Sequence, residues 1–241
     1  MGTEPSALAL SIIIPAYNEE HRLGPTLEAY IAEFSSRHGG AWELLVVLNG
    51  CIDGTEGVVD AHRQRCPQVR SMVYPQPLGK GGAILEGLRN ARGARVAFVD
   101  ADNMVGPGET ARLVDALDDS DVAIGWRRSA DLPQPLARRA ASWLVRLWTR
   151  WFLRLPFHDT QCGAKAMTRE AAAAVLPHLR ETGWALDLDI IISARALGFR
   201  VVETPVAWRH VREGSKLRLG QAGWEFFLAS LRLRSRRRSQ G

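Results

Sequence analysis

The chain has 241 residues, 46% of them hydrophobic and 24% charged, enough for one sizeable α/β domain with a full core or for two small ones. Its formal net charge of +5 points to an anionic partner, whether nucleic acid, a phosphorylated ligand or a membrane surface. Three cysteines, Cys51, Cys66 and Cys162, are odd in number and lack C-x-x-C spacing, so neither a disulfide framework nor a zinc site is supported.

A reducing, cytoplasmic setting fits that cysteine usage. The opening MGTEPSALALSIII has no basic residue before its apolar run, which is short and soon meets Pro15, so no signal peptide is expected. Nowhere do about 18 uninterrupted apolar residues occur, as a spanning helix requires. Any membrane contact is expected from one side, peripheral and on the cytoplasmic face. No linker, internal repeat or low-complexity block divides the chain.

Short β-branched runs recur at 10–15 (LSIIIP), 43–49 (ELLVVLN), 69–74 (VRSMVY), 95–100 (RVAFVD) and 120–125 (SDVAIG). Between them lie stretches with helical spacing, such as Leu23, Leu27, Tyr30, Ile31 and Phe34, or Ala83, Ile84, Leu88 and Ala91. Alternating strand and helix predicts a mostly parallel sheet covered on both faces, with ligands beyond the carboxyl ends of the strands. The polar clusters obey that rule: PAYNEE, NGCIDGT, PLGKGG and DADN each follow an apolar run.

Asp100 and Asp102 stand on this shared rim. A solvated turn is the plain reading of such a pair. The chemical reading is that two carboxylates at a strand end hold a hard divalent cation, which in turn grips a diphosphate. PLGKGGA, one strand earlier, offers glycines for close backbone approach and Lys80 as a point charge. It is not a Walker loop, because Tyr74 stands at the leading Gly position and Gly81 at the Ser/Thr position.

The second half changes character. Residues 137–156 are expected to form a helix with Ala140, Trp143, Leu144, Leu147, Trp148 and Trp151 on one stripe, Arg139, Arg146, Arg150 and Arg154 on another, and Pro156 as its stop. Such a stripe suits a core-facing helix and equally one lying in a bilayer interface. Near the C-terminus Trp224, Phe227, Leu228 and Leu231 share a helical face, followed by Arg232, Arg234, Arg236, Arg237 and Arg238. Anionic lipid attracts such a cluster at about 1 kcal/mol per basic residue. Nucleic acid is the competing partner, and it is set aside because no nucleic-acid module or aromatic RNA-binding motif is visible. His21, His62, His158, His178 and His210 show no metal spacing and no evident partner; His210, beside EGSK, is the one nearest a motif.

In chain order, SIIIPAYNEEHRL, GKGGAILEGLRNARG, FVDADN, DTQCGAKAMTREAA, WALDLDIIISARALGFRVVETPVAW and EGSKL resemble the motifs of family 2 glycosyltransferases with the GT-A fold. Within that family the chain looks most like the dolichyl-phosphate glucosyltransferase and polyprenyl-phosphate mannose synthase branch. The resemblance covers about residues 10 to 219, leaving an amphipathic basic tail over 220–241 beyond a catalytic domain over 1–219.

The resemblance implies that Pro15, Tyr17, Asn18 and Glu19 line the nucleoside pocket, that Asn49 occupies the base-reading position, and that Lys80 approaches the donor diphosphate. Asp100 and Asp102 match the D-x-D pair that binds Mg²⁺ or Mn²⁺ and the sugar nucleotide. Gly125 to Arg128 resemble the family's Gly-Ser-Arg, and Arg127 and Arg128, with Arg138 and Ser142, would bind the acceptor phosphate. Gln161, Cys162, Gly163 and Lys165 match the stretch closing over sugar and metal, Asp187 and Asp189 the acidic motif near the sugar, and Ser215 and Lys216 a loop over the diphosphate. Asp187 and Asp189 also read as a plain acidic pair at a helix N-terminus, and Arg138 and Arg139 as a solvated face.

The chain departs from the family pattern at several positions. Leu48, Asn49, Gly50 and Cys51 stand where many relatives have Asp-Asp-Gly-Ser, Ala164 where Phe is usual, and Asp189 where Glu is common. Met104 replaces a Gln frequent in the mannose branch and is a poor ligand for a hard cation, which favours UDP-glucose over GDP-mannose as donor. The implied reaction is a single inverting displacement at the anomeric carbon by a lipid phosphate, already anionic and in need of no strong base. Were the acceptor a hydroxyl, Asp187 or Asp189 would be the candidate base. Two alternatives are a soluble family 2 enzyme acting on a hydroxyl and a silent sugar-nucleotide-binding adaptor. The second fits poorly with Asp100, Asp102, Lys80 and Lys216 occurring together.

Overall fold

The five β-branched runs form strands because their alternating side chains can all be buried between two layers of helices. The computed structural model describes residues 8–128, 136–208 and 219–239, with the backbone alone at 128, 136–143, 219–224 and 236–239. The strands are β1 (Leu10–Ala16), β2 (Trp42–Asn49), β3 (Val69–Tyr74), β4 (Arg95–Phe98), β5 (Val122–Arg128), β6 (Lys165–Thr168) and β7 (Val201–Ala207). The helices are α1 (Leu23–His38), α2 (Thr55–Arg65), α3 (Gly79–Asn90), α4 (Pro107–Asp115), α5 (Leu136–Trp151), α6 (Arg169–Val175), α7 (Leu186–Ala196) and α8 (Leu219–Ser239).

The seven strands make one sheet in the order β3-β2-β1-β4-β6-β5-β7, in which β6 runs antiparallel to both neighbours and the other pairings are parallel. Strand alternation divides the core. Ile12, Ile14, Leu44 and Val46 face α1, α2 and α4, while Ile13, Val47 and Phe98 face α3, α6 and α7. All six parallel strands therefore end on one rim, and β6 starts there, because Lys165 is paired with Phe98 at the end of β4.

Two expectations need correction. The helix expected to run to Pro156 ends at Trp151, and Arg154 takes a left-handed backbone (φ 52°) before the proline is reached. Its apolar stripe is split: Trp148 turns inward, stacked on Phe152 at 4.2 Å and donating its Nε1–H to Ser230 Oγ at 2.9 Å, whereas Leu144, Leu147 and Trp151 are exposed. On α8 the buried face is Phe226, Ala229, Ser230 and Leu233, and Leu228 and Leu231, from the apolar face read in the sequence, lie outward. Trp143 and Trp224 belong to stretches where only the backbone is described. Among the described residues no helix is long and apolar enough to cross a membrane.

Candidate active site

Asp100 lies two residues beyond the last residue of β4, where the chain leaves the sheet. The turn that carries it is held from α1. Thr26 Oγ1 donates to the Ala101 carbonyl at 2.8 Å, and the buried Tyr30 hydroxyl donates to the Val105 carbonyl at 2.9 Å. Burial drives the Tyr30 phenol well above its ordinary pKa, so it remains a donor.

Lys80 enters at the first turn of α3 and reaches the rim from the β3 side. Its ammonium lies 2.5 Å from Asp100 Oδ1 and 5.2 Å from the centroid of the Trp184 ring. The helix start is seated on the loop before α7. Gly82 N donates to the Thr182 carbonyl at 2.9 Å, and a Cβ on Gly81 would stand 2.6 Å from that same oxygen. Asn49 braces the preceding turn, its carboxamide oxygen accepting from Leu78 N at 2.6 Å, so its oxygen orients the Lys80 loop.

From the other side Gly163 presses its backbone on Asp100, and a Cβ there would fall 2.0 Å from Asp100 Oδ2. This explains a glycine after Gln161 and Cys162. Burial opposes the charge on Asp100, but the Lys80 ammonium, with Lys165 and Arg127 farther off, outweighs it and holds the carboxyl below the usual carboxylate range. Asp102 moves the other way, raised by burial and then by the Asp100 charge beside it. Burial also disfavours the Lys80 ammonium, yet Asp100, Asp187 and Asp102 together raise its pKa.

Among the described residues no group of three His, Cys, Asp or Glu side chains gathers as a closed metal cage. The side chains would thus offer a cation the carboxylates of Asp100 and Asp102 and leave the rest of its shell to water and phosphate oxygens, a common arrangement for Mg²⁺. The raised Asp102 carboxyl fits such a site, since a nearby positive charge would restore its ionisation.

Beneath the rim Lys165 is fully buried, its ammonium 2.5 Å from Asp187 Oδ1, 2.7 Å from the Cys162 carbonyl and 5.7 Å from the Phe98 ring centroid. The resemblance counts it in the stretch closing over sugar and metal; the structure places it beneath the acidic turn, fully buried and tied to Asp187. Asp187 and Asp189 diverge. Asp187 turns to Lys165, whereas the fully buried Asp189 accepts from Arg180 N at 2.7 Å, Glu181 N at 3.0 Å and Ser193 Oγ at 3.3 Å, which fixes the loop before α7.

Arg127, near the end of β5, is gripped in bidentate fashion by Asp159: Nε donates at 2.6 Å and Nη2 at 3.0 Å, with the Arg127 backbone N–H at 3.3 Å. Burial works against both charges, but each partner outweighs it, raising the guanidinium pKa and lowering that of the carboxyl. The Asp159 role went unread in the sequence, although the residue opens the DTQCG motif. Gln161 is tied to the same carboxylate through its backbone N–H at 3.1 Å. Cys162 is a buried thiol, pushed up to about 11 by burial, and so a packing residue.

Of the residues that the resemblance assigns to the nucleoside pocket, Pro15 lies on β1, and Tyr17 is exposed. Asn18, in left-handed backbone (φ 54°), accepts from Ile52 N at 2.9 Å, and Glu19 is bidentate to Arg22 at 2.7 and 2.8 Å. These links join the loops after β1 and β2. The side chains of Arg128, Arg138 and Ser142, and Ser215, Lys216 and His210 altogether, lie outside the described residues. Contrary to expectation, His158 has a partner, with Nδ1 lying 2.8 Å from Glu203 Oε2.

A mostly parallel sheet with an acidic pair beyond its fourth strand is the GT-A fold of nucleotide-sugar-dependent hexosyltransferases. Residues 11–175 match the model of Glycosyl transferase family 2, and the chain belongs to that family. It is 31% identical, over 88% of its length and 70% of the relative's, to the dolichyl-phosphate beta-glucosyltransferase of Drosophila melanogaster. It is 30% identical to the dolichyl-phosphate beta-glucosyltransferase ALG5A of Trichomonas vaginalis, covering 90% of this chain and 70% of that protein. Among solved structures it resembles glucosyl-3-phosphoglycerate synthase from Mycobacterium tuberculosis in complex with Mn²⁺, UDP and phosphoglyceric acid. The TM-score is 0.73 at 21% identity, over 94% of this chain and 78% of that one, a likeness of fold.

Two outcomes are expected. Gly163→Ala pushes a methyl group into the Asp100 carboxylate and should lower turnover by about a hundred-fold with little change in melting temperature; activity and thermal unfolding measured together check it. The depressed Asp159 carboxyl stabilises the fold fully above its unfolded pKa of about 4, and that contribution is lost as pH falls through its lower folded value. The stability gap between wild type and Asp159→Asn, measured by denaturant unfolding, should be constant above about pH 5 and shrink below about pH 4.

Proposed function

We propose that this family 2 enzyme transfers glucose from UDP-glucose, with Mg²⁺ or Mn²⁺, to a polyprenyl-phosphate acceptor at a membrane surface, with inversion. The observation that carries the reading is the pair of fixed cations flanking the acidic turn. Lys80 stands on the β3 side beside Asp100, and Arg127 stands on the β5 side, held by Asp159. One strand, β6, separates β4 from β5, so the two strand ends lie about 10 Å apart, room for one hexose between a donor diphosphate and an acceptor phosphate. GDP-mannose is the second donor, and Met104 favours the glucosyl one.

The chemistry follows from these residues. Lys80 meets the donor diphosphate, while Asp100 and Asp102 would hold the cation, which supplies Lewis-acid stabilisation of the departing diphosphate. Arg127 receives the acceptor phosphate and, with Arg128, Arg138 and Ser142, offsets the repulsion between two phosphate groups brought together. The family resemblance would add Ser215 and Lys216 to the diphosphate contacts. An anionic phosphate attacks without a general base, and this is consistent with the acids near the sugar. Asp187 is committed to Lys165 and Asp189 to three N–H and O–H donors, a poor arrangement for activating a hydroxyl. The dolichyl-phosphate glucosyltransferases named above support the acceptor class.

Membrane seating rests on α5 and α8. Leu144, Leu147 and Trp151 are exposed on the first, and Leu228 and Leu231 on the second. Exposed Arg146, Arg150 and Arg232 accompany them. The two helices touch through Trp148 and Phe227, ring centroids 5.2 Å apart. Such a surface suits the headgroup boundary of an anionic bilayer, and the 220–241 tail then acts as an interfacial helix while its other face joins the core.

Purified protein, a divalent cation and a short polyprenyl phosphate should release UDP from UDP-glucose only when the lipid is present, and Asp102→Asn should lower that rate by about a hundred-fold. Release that ignores the lipid would sink the acceptor assignment. Replacing Leu228 and Leu231 together by Glu should weaken salt-sensitive binding to vesicles containing anionic lipid without disturbing the buried face of α8. Unchanged flotation with vesicles would remove α8 from the interface.

A further inference from the structure

We infer that Glu203 is a positioning residue that sets the acceptor end of the site by clamping the backbone of His158 and Asp159. The inference rests on the reading of Arg127 as the acceptor-phosphate contact and names what holds it there. Glu203 sits in β7, paired in register with Ile124 of β5, three residues before Arg127. Its carboxylate is nearly buried, and Oε1 accepts from two successive backbone N–H groups, His158 at 2.6 Å and Asp159 at 2.9 Å. Oε2 lies 2.8 Å from His158 Nδ1.

What these hydrogen bonds immobilise is a two-residue clip on the end of β5. Consecutive strand residues point to opposite faces. Trp126 and Arg127 do so, and the consecutive residues His158 and Asp159 take one each. The His158 ring stacks on Trp126 at 4.6 Å and 22°, while the Asp159 carboxylate receives the Nε and Nη2 of Arg127. The clip straddles the strand edge, so its backbone must be fixed for either grip to have a defined direction, and Glu203 is the group that fixes it. The Arg127 guanidinium is also 6.0 Å from the ring centroid of Trp208, which follows β7 directly. β7 and the residue that follows it therefore supply the clamp on the acid that aims the guanidinium and a ring beside it.

A carboxylate so buried needs donors, and the two amides provide them. The distinction between clamp and charge is testable. Gln keeps an oxygen for both amides and gives up the charge and the second oxygen that faces His158 Nδ1, whereas Ala leaves both amides without an acceptor. Steady-state kinetics with varied polyprenyl phosphate and varied UDP-glucose should show Glu203→Ala raising the acceptor KM about ten-fold, with the donor KM within about two-fold of wild type. Glu203→Gln should restore the acceptor KM to within about three-fold of wild type. If the Ala variant does not fold, Glu203→Asp, with the oxygens drawn back by one methylene, should show the same selective rise.

An unchanged acceptor KM in the Ala or Asp variant overturns the inference, as does a Gln variant as impaired as Ala. Equal effects on donor and acceptor also overturn it, since they mark a general structural role. Arg127→Ala separates this from the reading beneath it. If that variant leaves the acceptor KM unchanged, Arg127 does not bind the acceptor, and both the reading and the inference fall. If it raises the acceptor KM while Glu203→Ala does not, only the inference falls.

Discussion

The arrangement turns on the contact between the Lys80 ammonium and the Asp100 carboxylate, because it decides whether an acidic turn can stand at the end of a buried strand. Two carboxylates one residue apart repel, and partial burial strengthens the repulsion. Lys80 relieves it for Asp100, and the same remedy recurs at two further acids: Asp187 is paired with Lys165 and Asp159 with Arg127. These pairs bring together residues from six places in the chain, the starts of α3, β6 and α7, the end of β5 and the segments after β4 and before β6. Removing one partner leaves a charge with poor solvation, so the site depends on the whole set.

Close backbone approach makes this economy of charge possible. Gly163 lets the segment before β6 lie against Asp100, and Gly81 lets α3 sit on the Thr182 carbonyl. A side chain at either place would separate a cation from its acid. The rigid part of the structure is thus the sheet and its two apolar layers, and the reactive part is a ring of loops tied to one another by short polar links, Asn49 to Leu78 and Asn18 to Ile52 among them. Aiming functional groups from a packed scaffold needs little further stabilisation of the loops themselves.

Strands with strong β-branched runs were legible in the sequence because local pattern and burial agree there. β6 and β7 were not. β6 is only Lys165–Thr168, and β7 contains Pro205, which sits in an edge strand where a missing N–H is tolerated. β5 extends past Trp126 through Arg127 and Arg128, two charged residues that local propensity does not mark as strand, because β7 pairs with it up to Arg128. At the site, Asp100, Asp102 and Lys80 were legible as motifs. The partnership of Arg127 with Asp159 was not, since it joins residues on separate segments. Asp187 and Asp189 show the limit most clearly. Two residues apart on a helix, they point about 200° from each other, so a motif that names them together joins a site acid to a loop-holding one.

Charge bookkeeping at the rim carries the last step. Around the acidic turn the described side chains supply Lys80, Lys165 and Arg127 against Asp100, Asp102, Asp159 and Asp187, three positive against four negative. Each of the three cations is already matched to an acid, and Asp102 is left over without an ion pair among the described residues. An anionic donor would meet a rim one charge to the negative side, and an anionic acceptor would add to it. On the proposed reading, a divalent cation on Asp100 and Asp102 would turn that balance positive by one and free Lys80 to face phosphate oxygen. The acceptor phosphate would, on that same reading, then depend on Arg127, a guanidinium whose direction is fixed by Asp159 but whose charge is already shared with it. Positioning, more than surplus charge, is what this end of the site has to offer, and that places the burden on the backbone beneath Asp159 rather than on the arginine alone.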